Sequence, residues 1–257
     1  MIIFTHIPRT AGTTLQWVAA KQYESEQIIK LYGNAIAEPR SALWELMAGY
    51  LGAHIQCASL EEAQFISGHN AFGIHRHIAR ICKVHSQFDY VTILRDPIQR
   101  CISVYDYIRR SKGHYLYKAA QGLTLKDFVR CGITTELDNG MTRQISGMCG
   151  ELPQVPWPDV AVPVGGMMRA HLDRAMLELR DSYAVVGITE RFDDTLELCK
   201  RRFGWRGNLY EKRNVAKRQR TVNDLSKETV EVLEEYNTLD GLLYEFGYQL
   251  FATRMAK

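Results

Sequence analysis

The chain has 257 residues, 46% of them apolar and 10% aromatic, which is enough to bury a core and too apolar for a disordered segment. A formal charge of +3 excludes a protein that coats nucleic acid wholesale, so any anion binding is local. No apolar run approaches the ~20 residues of a membrane helix, and six scattered cysteines without a C-x-x-C pair read as reduced thiols, not a disulfide framework.

The N-terminus runs directly into a motif and lacks the charged region and long apolar stretch of a signal peptide, so the expected compartment is the cytoplasm. Residues 2–7 read as a short buried strand and residues 13–23 as a helix, with Leu15, Val18 and Ala19 at helical spacing. Residues 41–51 form a second expected helix, and residues 64–67 a short strand leading to Gly68-His69. DYVTIL, residues 89–94, is a β-branched strand. It ends at Arg95-Asp96-Pro97, from which a helix runs to about Arg110, with Asp96 at the N-cap and Pro97 at the first helical position. Thr124-x-x-Asp127 suits a helix start, and residues 136–148 are expected to be helical. Pro153, Pro156, Pro158 and Pro163 mark an irregular segment, a lid or a long loop. Residues 168–180 read as a helix, YAVVGI at 183–188 as a strand, and Thr189 as the cap of a helix stopping at Phe203-Gly204. An acidic amphipathic helix from about Ser226 holds Val230, Leu233 and Tyr236 on one side. Strands alternating with helices, without repeats or a linker, predict one α/β domain over residues 1–257. Its central parallel sheet is expected to be flanked by helices, with the helical extension at about 226–257 packed on it.

Two strand ends carry the chemistry. His6-Ile7-Pro8-Arg9-Thr10-Ala11-Gly12-Thr13-Thr14 joins the first strand to the first helix, where ligands bind in open α/β sheets. A helix N-terminus there offers N–H groups and a partial positive charge to an anion. Gly12 permits close backbone approach, the threonines add hydroxyls, and Arg9 adds a forked cation. This is not a Walker A loop, because Thr13 stands where that motif needs lysine, and a single glycine is too few for a dinucleotide fingerprint. A turn of this composition can also serve only to cap a helix. The second strand end carries Arg95 and, eight residues on, Ser103; alone they read as a surface ion-pair residue and an ordinary helix serine.

Together, H-I-P-R-T-A-G-T-T and R-D-P-x-x-R-x-x-S-x-Y resemble the 5′-phosphosulfate and 3′-phosphate elements of sulfotransferases that use 3′-phosphoadenosine 5′-phosphosulfate (PAPS). The match is closer to the heparan and uronyl 2-O-sulfotransferase branch and its bacterial relatives. S-G-H-N at residues 67–70, D-N-G-M-T-R-Q-I-S-G at 138–147 and V-G-I-T-E-R-F at 186–192 extend the likeness in order. The resemblance implies that Arg9, Thr10, Ala11, Gly12, Thr13 and Thr14 hold the 5′-phosphosulfate, that Arg95 and Ser103 hold the 3′-phosphate, and that His69 is the general base. It implies a P-loop-like nucleotide-binding architecture, PAPS as donor, 3′-phosphoadenosine 5′-phosphate (PAP) as product, no metal, and a hydroxyl-bearing acceptor, a glycan or glycoconjugate. Arg9 departs from the family's usual lysine; it keeps the charge but cannot act as a general acid near neutral pH.

His75, His77 and His85 have H-x-H spacing without a completing ligand set and read as solvated. Residues 200–220 hold nine Lys or Arg against Glu211, with Trp205 and Tyr210 interleaved, which suits a polyanion grip or base stacking as well as a solvated face. The resemblance assigns Arg213, Asn214, Lys217 and Arg218 there to the donor. Arg109, Arg110, Lys112 and His114 suit an acidic acceptor or a helix's basic end. Two other classes remain open: a nucleoside-triphosphate-dependent small-molecule kinase, which lacks its lysine here, and a non-catalytic nucleotide or polyanion binder.

Overall fold

A computed structural model of the chain describes residues 1–31, 62–76, 78, 87–147, 162–207 and 220–257. Five strands form one parallel sheet: β1 (Ile2–Thr5), β2 (Ile28–Leu31), β3 (Phe65–Gly68), β4 (Asp89–Leu94) and β5 (Tyr183–Ile188), in the order β2-β3-β1-β4-β5. Every residue of β1 and β3 is buried, so successive side chains, which point to opposite faces, meet cover on both. This is the predicted α/β fold with a parallel sheet flanked by helices. Edge strand β2 escaped the sequence reading, and its IIKL is only partly buried.

The helices are α1 (Gly12–Ala19), α2 (Pro97–Arg110), α3 (Tyr117–Gly122), α4 (Leu125–Arg130), α5 (Gly140–Ser146), α6 (Arg169–Asp181), α7 (Phe192–Phe203), α8 (Lys227–Tyr236) and α9 (Thr238–Met255). Capping chemistry sets several ends as expected. The Asp96 carboxylate accepts from Gln99 N–H at 2.8 Å, Thr124 Oγ1 accepts from Asp127 N–H at 3.2 Å, and Gly204 ends α7 at φ 71°. Thr189 does otherwise: it opens a 3-10 turn, Thr189–Arg191, and its hydroxyl donates to the Leu94 carbonyl at 3.0 Å, tying β5 to β4. The helix expected at 41–51 lies outside the described residues.

Two departures share one cause. The helix expected over 136–148 begins only at Gly140, and the single C-terminal helix is two, broken at Asn237. Asn139 and Asp240 cap each other's helices. Asn139 Oδ1 accepts from Leu239 and Asp240 N–H at 2.9 and 3.2 Å; the Asp240 carboxylate accepts from Met141 N–H at 3.0 Å and Thr142 N–H at 2.7 Å. This reciprocal cap fixes the C-terminal helices to the domain. On α8 the buried pair is Val232 and Leu233, with Val230 and Tyr236 half-buried, so the stripe is rotated from the one predicted. It covers a second apolar cluster built on α2 and α4 around Tyr105, Ile108 and Phe128, apart from the core on the sheet.

Candidate active site

β1, β3 and β4 run level: Thr5 pairs with Gly68 on one side and Thr92 on the other. The turns after them therefore leave the sheet side by side, and Arg95, three residues past Thr92, arrives beside Arg9. After β1 the chain moves toward β3 and β2; after β4 it moves toward β5, so these turns flank the point where strand order reverses.

The turn after β1 is tightly determined. Arg9 and Ala11 both have left-handed backbones, φ 68° and 63°, which cost non-glycine residues about 1–2 kcal/mol each. The fully buried Thr10 holds the turn from inside, its hydroxyl donating to the Ile7 carbonyl at 2.8 Å. Ala11 occupies the N-cap of α1, and its methyl side chain makes no capping bond to the first turn. A Cβ on Gly12 would lie 2.0 Å from the His6 ring, so glycine is needed here for the packing of that imidazole. Thr13 is half-buried and Thr14 buried in the first turn.

Arg95 Nη1 donates to the Arg9 carbonyl at 2.9 Å, and Arg9 Nε donates to Ser103 Oγ at 3.0 Å. The two anion-binding candidates thus touch, Ser103 lying on the inward side of α2. The Arg9 guanidinium lies over the Tyr107 ring, 5.1 Å from its centroid. Burial, then the neighbouring charges of Arg95 and Arg110, lower the Arg9 pKa. Burial also lowers that of Arg95, with Glu190 and Asp96 opposing. Both stay charged at neutral pH, so part-desolvated cations stand close together, an arrangement an anion would relieve.

On the other side of β1, His69 Nδ1 lies 2.8 Å from the His6 carbonyl oxygen. A carbonyl only accepts, so Nδ1 carries the proton and the neutral ring keeps its lone pair on Nε2. Burial lowers the His69 pKa against the raising effect of that bond, which keeps the ring neutral and basic at pH 7. The His6 ring packs against it at 4.6 Å between centroids and stacks on Phe4 at 5.4 Å. Burial, then the charges of His69 and Arg9, hold His6 well below the usual histidine range.

Sequence reasoning passed over His6 as a packing element, Tyr107, and Gln144, whose Nε2 donates to the His6 carbonyl at 3.2 Å. His6 was legible only through its spacing to Gly12; nothing in the sequence marks Gln144 off from its helix. Arg213, Asn214, Lys217 and Arg218 lie outside the described residues, although Arg220 just beyond them pairs with Asp106 on α2 at 2.6 Å. Trp205 does not offer a stacking face: it is buried against Tyr23 and Phe65, its Nε1 donating to Tyr23 Oη at 2.8 Å. His75 is not solvated either; it is half-buried, its Nδ1 2.7 Å from Tyr90 Oη, while His77 and His85 lie outside the described residues. Among the described residues no group of three or more His, Cys, Asp or Glu side chains could hold a metal, and no helix is long and apolar enough to cross a membrane. Cys101, Cys131 and Cys199 are free thiols, and burial pushes Cys101 and Cys199 up to about 12. Of the four prolines of the irregular segment only Pro163 is described; its carbonyl accepts from Arg143 Nη2 at 2.9 Å.

A parallel α/β sheet with cationic turns on either side of its switch point and a half-buried histidine one strand away makes this an α/β protein whose strand-end turns have the charge and backbone geometry suited to an anion. Comparison with known proteins narrows this. The chain belongs to the Sulfotransferase family, whose model matches residues 1–248. It is similar to heparan sulfate 2-O-sulfotransferase 1 of Xenopus laevis, 28% identical over an alignment of 174 positions that covers 63% of this chain and 47% of that protein. The match therefore spans about half the length of that relative. Both findings agree with the resemblance carried by the two strand-end motifs.

Proposed function

We propose that the chain transfers a sulfuryl group from PAPS to a hydroxyl of a carbohydrate, by in-line displacement with His69 as general base. The observation that carries this reading is the contact between the two strand ends: Arg95 to the Arg9 carbonyl, and Arg9 to Ser103. In it, Arg95 and Ser103 hold the 3′-phosphate, and the turn from Arg9 to Thr14 holds the 5′-phosphosulfate. The alanine at the N-cap of α1, which cannot cap with its own side chain, supports this role, since first-turn N–H groups are suited to an anion. The donor supplies an activated sulfuryl group whose departure leaves negative charge on the 5′-phosphate.

Arg9 stabilises that charge electrostatically, in a turn whose backbone geometry is already set. It does not protonate the leaving group, because its pKa stays too high even when lowered. His69 accepts the acceptor's proton on Nε2 as the hydroxyl attacks, and the resulting imidazolium keeps its Nδ1–H bond to the His6 carbonyl. The Arg220–Asp106 pair fastens the end of the basic segment to the helix bearing Ser103. That supports a donor-binding role for Arg213, Asn214, Lys217 and Arg218. A carbohydrate acceptor is suggested by the named activity of the Xenopus relative, and a cytoplasmic location by the free thiols.

The test is to incubate the protein with sulfur-labelled PAPS and a panel of glycans, with ATP and Mg²⁺ in a parallel arm. Label should pass to a glycan hydroxyl, and His69→Asn should slow transfer by ~10²–10⁴. Label that stays on PAPS across the panel, together with phosphoryl transfer from ATP, would overturn the reading in favour of a kinase.

A further inference from the structure

One uncharged side chain from α5 reaches the middle of the candidate site. Gln144 is 2% exposed, and its Nε2 donates both to the His6 carbonyl at 3.2 Å and to the Asn70 carbonyl at 3.3 Å. The first is the same oxygen that receives His69 Nδ1–H. Gln144 also accepts through its main-chain carbonyl from Phe72 N–H at 2.9 Å, so it grips the turn after β3 at two points on either side of Ala71.

The helix behind it is built to hold still. All seven residues of α5 are buried, and its first turn is capped by the Asp240 carboxylate from α9. Arg143, the charged residue of α5, is turned away from His69 into a buried pair with Asp138. What α5 gives the histidines is therefore a carboxamide and no charge. Among the described residues, the β1 side brings the His6 ring against His69, and Arg9, whose charge acts on His6. Beside it on β3 and its turn stand the neutral Ser67 and Asn70.

We propose that Gln144 is a positioning residue for His69: by sharing the His6 carbonyl it fixes the acceptor that decides which imidazole nitrogen carries the proton. A carbonyl oxygen has two lone pairs. One takes His69 and the other takes Gln144, so the oxygen is aimed from two sides. With Gln144 gone, the His6 peptide loses one of these constraints, the Nδ1–H bond loosens, and a proton on Nε2 becomes competitive. An imidazole in that second tautomer presents a donor where the reaction needs a base. Outer partners of this kind are worth ~10–100-fold in activity when removed. The proposal deepens the reading of His69 as general base and rests on it.

The experiment is a ¹⁵N-histidine NMR titration of the full chain and of Gln144→Met, with His69→Asn to assign the resonances, alongside the pH dependence of kcat. The unsubstituted protein should show one His69 tautomer, protonated on Nδ1. Gln144→Met should show both tautomers and a His69 titration at lower pH, because the bond that raises its pKa is weakened. Its kcat should fall ~10–100-fold with the donor KM within about twofold. If the methionine variant does not fold, Gln144→Ala serves, since it removes the donor without adding bulk or charge. A variant that keeps the original tautomer and titration overturns the proposal, even if its activity drops. A His69→Asn protein of undiminished rate would instead remove the general-base reading and leave the tautomer result standing.

Discussion

Replacing Asp240 with alanine should destabilise the whole domain, including the part that carries the site. The carboxylate is fully buried and accepts from Met141 N–H, Thr142 N–H and, at 2.8 Å, Thr142 Oγ1, while Arg100 Nη2 stands 3.8 Å away, itself 1% exposed. Alanine leaves two helix N–H groups and a buried guanidinium without their anion. Arg100 keeps its contact with the Glu136 carbonyl, but its Nε is already without a partner, so little compensation is available. Removing one partner of a buried charged pair costs about 3–5 kcal/mol. In a domain of this size that corresponds to a fall in Tm of roughly 6–20 °C, at about 2–4 °C per kcal/mol. Asp240→Asn keeps one acceptor oxygen and the shape, and should lose less, about 1.5–3 kcal/mol. Thermal melts followed by circular dichroism read both. An alanine variant that melts within about 1 °C of the parent would refute the idea that the reciprocal cap fixes the C-terminal helices to the sheet.

Gly12→Ala forces a methyl into the His6 ring, which is hemmed in by Phe4 and His69; a loss of about 1–3 kcal/mol in thermal unfolding is expected, with loss of transfer activity. Arg9→Lys keeps the charge but not the Nε–H bond to Ser103, so PAP affinity measured by calorimetry should fall by no more than about tenfold, whereas Arg9→Ala should cost far more. His6 and His69 have folded pKa values below the unfolded ~6.5, so the unfolded chain binds more protons just below that pH. Their stabilisation is complete above about pH 6.5 and is lost as pH falls toward the folded values, by up to about 1.4 kcal/mol per pH unit for each; denaturant unfolding from pH 7 to 5.5 should show that slope, reduced in His69→Asn. Iodoacetamide followed by peptide mapping should label the exposed Cys131 in the native protein, and the buried Cys101 and Cys199 only after unfolding.

The sheet was legible because β1, β4 and β5 are short, β-branched and bounded by turn chemistry; IIKL was missed because a half-buried edge strand carries no such pattern. The strand-end cations were legible because the two motifs that carry them occur together and in order, each at a strand's carboxyl end, and parallel register brings Arg95 to Arg9. Trp205 and His75 were misjudged for one reason: composition shows that a residue can meet solvent, but tertiary packing decides whether it does. Neither the break at Asn139 nor that at Asn237 could be read locally, since each helix end is completed by a residue about a hundred positions away. Gln144 stayed hidden for the same reason, its partners lying on two other elements.

The central claim is that the turns after β1 and β4 grip the two phosphorylated ends of one nucleotide. Isothermal calorimetry of PAP against AMP, on the parent protein and on Arg95→Ala, tests it most directly. PAP should bind the parent ~10–100-fold more tightly than AMP, the worth of one charge-assisted phosphate contact, and Arg95→Ala should bring the two affinities together. Equal affinity of the unsubstituted protein for PAP and AMP would contradict it.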